Sequence, residues 1–401
     1  MTKKPFDPLP FILAVATIIT TFLISKHTFG FITHVADETS YLFQGKILAS
    51  GNLWFSPPAI PEAFTVDHIM MINSKWCSVY PLGWPLLLSI GWIIGLPWII
   101  NPIVTSIAAL GVYRLAVLLY DRNTARLACA LFCISPFVLM TGSGSMSHMA
   151  ALCASTWSVA ELIAAFQSQQ KKHYILAGLF AAFALITRPF TALFLLMPAF
   201  LWSLIQEKQR SLLSLIGFIP VALAGAIYNW TLFGNLIAAG YVYDPTYHAV
   251  QFSARYLLQN ISWYFFRLND SIWQWPWPDL LIFVPLLFYR PKFKFEWLLI
   301  LCSFTLLAAY LGFSWKDVVY GGPRYIFEIV GFLSVIAAQS IKLLLQKIPN
   351  RIIQTFFLVP ILLLPLVRSL PFQIHQHSQI YHGQSIQFVK ILEQTPVGKN
   401  A

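Results

Sequence analysis

Charge is what this chain has little of: 10% of its 401 residues are Asp, Glu, Lys or Arg, against 58% hydrophobic. So few charges cannot keep so much apolar surface in water, which excludes a soluble globular domain and leaves a polytopic membrane protein. Cysteine is also scarce, with five in the chain. Cys129, Cys133, Cys153 and Cys302 lie in apolar runs, where a thiol acts as a small hydrophobe, and Cys77 stands alone in a loop. Neither a disulfide framework nor a metal-type Cys/His spacing is present. No low-complexity linker, separate polar domain or clear internal repeat appears, so 1–401 reads as one membrane domain.

Acids are outnumbered, 15 against 26 Lys and Arg, for a net charge of +11. Such an excess would suit nucleic acid. Here the basic residues gather in short loops between apolar runs, as the positive-inside rule expects, so the partner is a membrane and not nucleic acid.

Apolar runs fall near 9–25, 83–98, 102–120, 126–141, 148–167, 174–187, 189–206, 211–230, 278–290, 297–313, 325–345 and 352–367. Lys3 and Lys4 precede the first run and no small-residue cleavage site follows it, the pattern of an uncleaved signal anchor. Basic loops at Lys3/Lys4, Arg122/Arg126, Lys171/Lys172, Lys208/Arg210, Arg290/Lys292/Lys294 and Lys347/Arg351 mark the cytoplasmic side. From Arg122 onward two runs separate each loop from the next, but three lie between Lys4 and Arg122, where parity needs an even number. The run 83–98 is short, is broken by Gly83, Pro85, Gly91, Gly95 and Pro97, and carries Trp84, Trp92 and Trp98. Those features favour a segment lying along the membrane. The expected fold is an all-α bundle of about eleven transmembrane helices, N-terminus inside and C-terminus outside. Residues 26–101, the turn near 142–148, the loop 231–277, the loop 314–324 and the tail 368–401 then share the outer face.

Most of the unusual polar motifs lie on that face. If 37–49 is a short helix ended by Ser50-Gly51, then Asp37, Tyr41 and Gln44 share one side, with Phe43 and Ile47 turned toward the membrane. Acids at a helix start satisfy the dipole. A carboxylate is also what takes the proton from a hydroxyl attacking a sugar's C1. Arg188, in ITRPF, and Arg324, in YGGPRYIFE, stand beside apolar runs. An ionisable group at membrane depth costs roughly 2.5–3.5 kcal/mol on insertion scales, so each should face a partner or a cavity. Arg324 and Glu328 are spaced for a helical ion pair. Equally, Arg188 and Arg324 at the outer rim suit a phosphate, which guanidinium grips through two parallel hydrogen bonds. His148, in SGSMSHMA, is expected near the surface, solvated or facing a ligand. Asp67-His68 joins an acid to an imidazole without making a metal site. Lys75, beside Trp76, suits a headgroup or water. YVYDPTYH and RLNDSIWQWPWPD mix aromatics with polar groups, a composition that fits sugar stacking and an interfacial belt alike.

In order along the chain, HVADETSYLFQGKILASGNLW, SKWCSVYPLGWPLLLSIG, SGSMSHMAAL, LITRPFTALF, LFGNLIAAGYVYD and YGGPRYIFEIVGFL resemble bacterial integral-membrane glycosyltransferases of the GT-C fold. That group includes protein O-mannosyltransferases and lipid A aminoarabinose transferases. The resemblance implies juxtamembrane helices in the first outer loop and a sugar donor carried on polyprenyl phosphate. It further implies transfer with inversion to an envelope lipid, glycan or protein, at the outer face of the bacterial inner membrane. Asp37 takes the catalytic position, with Glu38 as neighbour or substitute, and Arg324 and Arg188 take the phosphate. Tyr41, Gln44, Lys75, Tyr80, Trp84, His148, Tyr243 and Tyr325 are the other expected substrate contacts. The chain departs from the family at Tyr80-Pro81-Leu82, where a double proline is expected. No second acidic motif suits a divalent ion, so no cofactor is implied, with a metal left open. Two other readings stay open: a lipid-linked sugar transporter or flippase, which uses the same arginines and aromatics and needs no proton acceptor at Asp37, and a non-catalytic partner in envelope polysaccharide assembly.

Overall fold

A computed structural model describes residues 6–248, 250–288 and 294–379. Arg290 and Lys292 of the expected cytoplasmic loop, and the expected tail from 380 onward, lie outside the described residues. Hydrocarbon offers backbone groups no partner, so apolar runs satisfy themselves as helices. In chain order the first nine are α1 (Leu9–His27), α2 (Ala36–Ala49), α3 (Gly83–Ile93), α4 (Ile100–Leu119), α5 (Arg122–Ile134), α6 (Pro136–Ser143), α7 (His148–Ser168), α8 (Lys171–Thr187) and α9 (Pro189–Gln206).

Among the described residues seven helical segments are long and apolar enough to cross a bilayer: Leu9–His27, Pro97–Leu119, His148–Ser168, Pro189–Gln206, Lys208–Phe233, Arg324–Gln346 and Arg351–Ser378. The pair α5–α6, bent by 57°, makes an eighth if counted as one span. The fold is thus an all-α multi-pass bundle. The expectation of about eleven exceeds this count by three short elements, α8 with 17 residues, Asp279–Phe288 and Phe295–Leu311. The run 83–98, which parity marks as one that does not cross, appears mainly as α3, whose 11 residues are short for a span.

Small residues set the closest helix contacts. A Cβ on Gly178 of α8 would lie 1.9 Å from the Ser214 carbonyl oxygen, and one on Gly217 would lie 2.0 Å from that of Ile175. Only glycine lets α8 and the helix Ser214–Phe233 approach so closely, the usual device where lipid supplies no hydrophobic drive between helices. The bend between α5 and α6 has a local cause. Pro136 has no N–H for the Phe132 carbonyl, which instead takes the Ser135 N–H at 3.3 Å. That leaves the Leu131 carbonyl without its helical donor, and the Trp273 indole N–H fills the gap at 3.0 Å. The Ser135 hydroxyl in turn donates to the Ile272 carbonyl at 2.5 Å.

The expected first outer loop folds into α2, an antiparallel hairpin of β1 (Ile69–Ile72) and β2 (Lys75–Ser78), and α3. Helix α2 starts after extended Val35 and stops at Ser50, with Gly51 left-handed at φ 80°. Its expected membrane-facing side is instead covered: Ile47 is fully buried and Phe43 packs 4.7 Å from the Trp76 ring. The hairpin 69–78 folds back and occupies that face. Segment 235–248 runs across this loop, with the Gly240 N–H on the Val79 carbonyl at 2.9 Å. Residues 250–253 then meet the C-terminal end of Lys294–Leu311, where the Ser253 N–H reaches the Gly312 carbonyl at 2.9 Å. A second hairpin, β3 (Val318–Val319) with β4 (Gly322–Pro323), pairs Val318 with Pro323 and leads directly into Arg324.

Candidate active site

Asp37 enters from the first turn of α2. One carboxylate oxygen, Oδ1, accepts the Tyr80 hydroxyl at 2.6 Å, and Oδ2 lies 3.4 Å from Nη1 of Arg324. Burial opposes ionisation of this acid. The charges of Arg324 and His68 and the Tyr80 hydrogen bond outweigh burial, so the carboxyl sits below its ordinary value of 3.8. Burial and the Asp37 charge push the Tyr80 phenol well up, so it stays a donor. Its oxygen lies 3.0 Å from that of Tyr247, and the Tyr41 ring packs 4.3 Å from its own.

Arg324 is held on several sides. Nε is 3.3 Å from Asp317, Nη2 donates to the Tyr325 hydroxyl at 3.1 Å, and the guanidinium lies 4.9 Å over the Tyr325 ring. The expected Arg324–Glu328 pair does not form. Residues Arg324–Ile329 make a 3-10 turn broken at Ile326, so four-residue spacing no longer shares a face. Glu328, fully buried, faces Arg188 at 2.9 Å instead. Arg188 sits between α8 and α9 in an extended conformation that ends one helix and starts the next.

These groups border a cavity of about 350 Å³. Asp37, Tyr41, Tyr80, Arg188, Arg324 and Tyr325 line it, and Phe190, Tyr241, Tyr247, Phe252, Tyr310, Phe313 and Trp315 supply aromatic walls. Ile237 and Phe252 at its margin are largely exposed, so the cavity has an apolar rim. A second cavity of about 310 Å³ shares Trp315, Arg324 and Tyr325 with the first and adds Ser314, Lys316 and Asp317. Arg324 therefore stands between an aromatic chamber and a polar one.

The other residues singled out in the sequence sit elsewhere. Glu38 is buried and turns away from the cavity, accepting the His34 N–H at 3.0 Å, the Ser145 N–H at 2.6 Å and the Tyr320 hydroxyl. Gln44 bonds the Leu53 carbonyl and the Ser78 N–H, fixing β2 against α2. Trp84 donates to the Ser145 carbonyl at 2.6 Å. Lys75 donates to the Thr231 carbonyl at 2.5 Å and lies 4.9 Å over Trp54. Tyr243 bonds the Phe233 carbonyl at 2.9 Å. His148 is not near the surface: it is 2% exposed, edge-on to Phe327, and its ring nitrogens have no hydrogen-bond partner among the described residues. His68 pairs not with Asp67 but with Asp244, at 2.8 Å, joining the loop before α3 to the segment 235–248.

Sequence reasoning missed Tyr241, Tyr247 and Tyr310 as cavity walls and Glu328 as the partner of Arg188. The segment YVYDPTYH was the signal for the first two, because a three-residue turn at Gly240–Val242 and the helix start at Pro245 rotate its tyrosines onto different sides. Among the described residues no group of three His, Cys, Asp or Glu side chains is placed to hold a metal ion.

The family described as dolichyl-phosphate-mannose-protein mannosyltransferase matches residues 91–232, a stretch that contains Arg188 but neither Asp37 nor Arg324. No curated protein sequence matches the chain. Among solved structures, the oligosaccharyltransferase of Archaeoglobus fulgidus in its apo form is similar over 98% of this chain and 59% of its own, with 15% identity and a TM-score of 0.57. Apo ArnT from Cupriavidus metallidurans is similar over 83% of this chain and 59% of its own, with 11% identity and a TM-score of 0.57. The same protein bound to undecaprenyl phosphate gives 12% identity, 83% and 60% coverage and a TM-score of 0.55. The chain thus spans about three-fifths of the length of these structures. At such identities the likeness establishes the fold, and the fold is GT-C.

Proposed function

We propose that this chain is an inverting glycosyltransferase that moves a sugar from a polyprenyl-phosphate donor to a hydroxyl of an envelope acceptor, at the outer face of the bacterial inner membrane. The observation that carries the reading is the meeting of Asp37 and Arg324, 3.4 Å apart, at the edge of an aromatic cavity. A base and a phosphate-binding cation are the two groups such a transfer needs, and little covalent chemistry is asked of the protein.

The aromatic chamber suits the isoprenoid phosphate and its sugar, since its margin is apolar and exposed. The chamber holding Ser314, Lys316 and Asp317 suits a polar acceptor. The acceptor oxygen attacks C1 as its proton passes to Asp37, and the bond from C1 to the phosphate oxygen breaks with its electron pair leaving on the phosphate. The two halves are electrostatically coupled. While Asp37 is ionised it competes for Arg324. Once protonated it releases the guanidinium to the phosphate, which gains charge at that moment. Arg188 is already neutralised by buried Glu328, so its part is the smaller.

The test compares envelope glycans and lipids by mass spectrometry in cells lacking the gene and complemented with wild type or Asp37→Asn at matched membrane levels. A hexose- or pentose-sized mass that only wild type restores supports the reading. Equal restoration by the variant removes the base and favours lipid-linked sugar transport.

A further inference from the structure

We infer that Glu38 is a positioning residue: through Tyr320 it sets the hairpin that delivers Arg324, and so sets recognition of a lipid-borne phosphate. The inference rests on the proposed donor reading and adds to it the second member of the acidic pair. The two adjacent acids hold opposite ends of one short element. Asp37 faces Arg324 at its base, and Glu38 takes the Tyr320 hydroxyl at its tip.

The hairpin 318–323 turns through two residues, Tyr320 at φ 55° and Gly321 at φ 87°. Both positions of such a turn are left-handed, which favours Asn-Gly and disfavours a bulky side chain in first place. A tyrosine there is strained by its backbone, so something else must hold it. Its ring packs 5.1 Å from that of Phe29, and its hydroxyl reaches Glu38 in the buried interior. Glu38 is itself immobilised by the backbone N–H groups of His34 and Ser145. The space is filled: a Cβ on Gly144 would fall 2.2 Å from the Tyr320 hydroxyl oxygen and 2.6 Å from Oε1 of Glu38. On the opposite strand a Cβ on Gly322 would strike the Phe137 ring at 2.5 Å. At the open end the Arg324 N–H reaches the Asp317 carbonyl at 3.3 Å, so displacement of the tip is passed along two short strands to the guanidinium.

The test measures binding of undecaprenyl phosphate and, separately, of undecaprenol to the purified full chain in detergent. Tyr320→Phe removes only the hydroxyl. Tyr320→Asn removes the tether while supplying a residue that favours the turn. Both variants are expected to bind undecaprenyl phosphate about ten-fold more weakly, the scale of one hydrogen bond to a charged group. Undecaprenol binding should be unchanged, and neither substitution should weaken phosphate binding further in an Arg324→Ala background. Loss of affinity for both lipids alike, unchanged affinity for the phosphate, or a further loss in the Arg324→Ala background would overturn the inference while leaving the donor reading intact. A wild-type protein that does not prefer the phosphate over the alcohol defeats the donor reading itself, and this inference with it.

Discussion

Asp37→Asn is expected to tighten donor-carrier binding while slowing transfer by orders of magnitude. The substitution keeps an oxygen for the Tyr80 hydroxyl, 2.6 Å away, and changes little but charge. Two unit charges 4 Å apart interact by about 4 kcal/mol at an effective dielectric of 20. That is the ceiling on what Asp37 withholds from a phosphate competing for Arg324. A phosphate seated on Arg324 would stand about 8 Å from Asp37, where the same arithmetic gives a repulsion of about 2 kcal/mol. The Asp37 and Arg324 side chains are each 15% exposed, so water screens part of this. About 1.4 kcal/mol remains, a factor of about ten in affinity. Loss of a general base lowers turnover by about 10²–10⁴-fold. Equilibrium binding of radiolabelled undecaprenyl phosphate to detergent-purified protein reads the first effect, and glycan mass spectrometry in complemented cells reads the second. Weaker binding in Asp37→Asn would refute the competition, and wild-type product levels would refute the base.

Other outcomes follow from the same geometry. Because the Asp37 carboxyl lies below 3.8, its contribution to stability is present above that value and lost as pH falls through the lower folded-state value. The acidic limb of transfer activity should therefore lie below the ordinary carboxylate range, and Arg324→Gln should move it upward in a pH–rate profile. Arg188→Ala leaves the Glu328 carboxyl buried without its partner and should destabilise the fold by about 1–3 kcal/mol, against less for Arg188→Met with Glu328→Leu, read by thermal unfolding in detergent. Gly144→Ala drives a methyl into the Tyr320 hydroxyl and Glu38, and should lower stability by about 1–3 kcal/mol in the same assay.

Much of the scaffold was legible in the sequence because its rule is simple: apolar runs bounded by basic loops become spans. Helix α2 was readable from its acids, its periodic face and the Ser50-Gly51 stop, and α3 from its interruptions. The helix count was less so, since α8 is embedded between α7 and the helix Ser214–Phe233, and burial in protein relaxes the length that lipid demands. Side-chain direction in the site was the hardest part. Gln44, Lys75 and Trp84 look like ligands in a string of letters, but each is used to satisfy a backbone carbonyl, of Leu53, Thr231 and Ser145 respectively. The exchange of partners between Arg188, Arg324 and Glu328 depends on a break at Ile326 that no local pattern announces. Tyr247 and Tyr310 enter the cavity from segments far apart in the chain, and their meeting is a matter of tertiary packing alone.

The bend at Ser135–Pro136 has a bearing on how the protein is made. The carbonyl that it strands, that of Leu131, receives its donor from a tryptophan 142 residues later in the chain. A polar group left without a partner in hydrocarbon costs several kcal/mol. If the bend lies at membrane depth, the Leu131 carbonyl waits for its donor until the segment carrying Trp273 has been synthesised and docked.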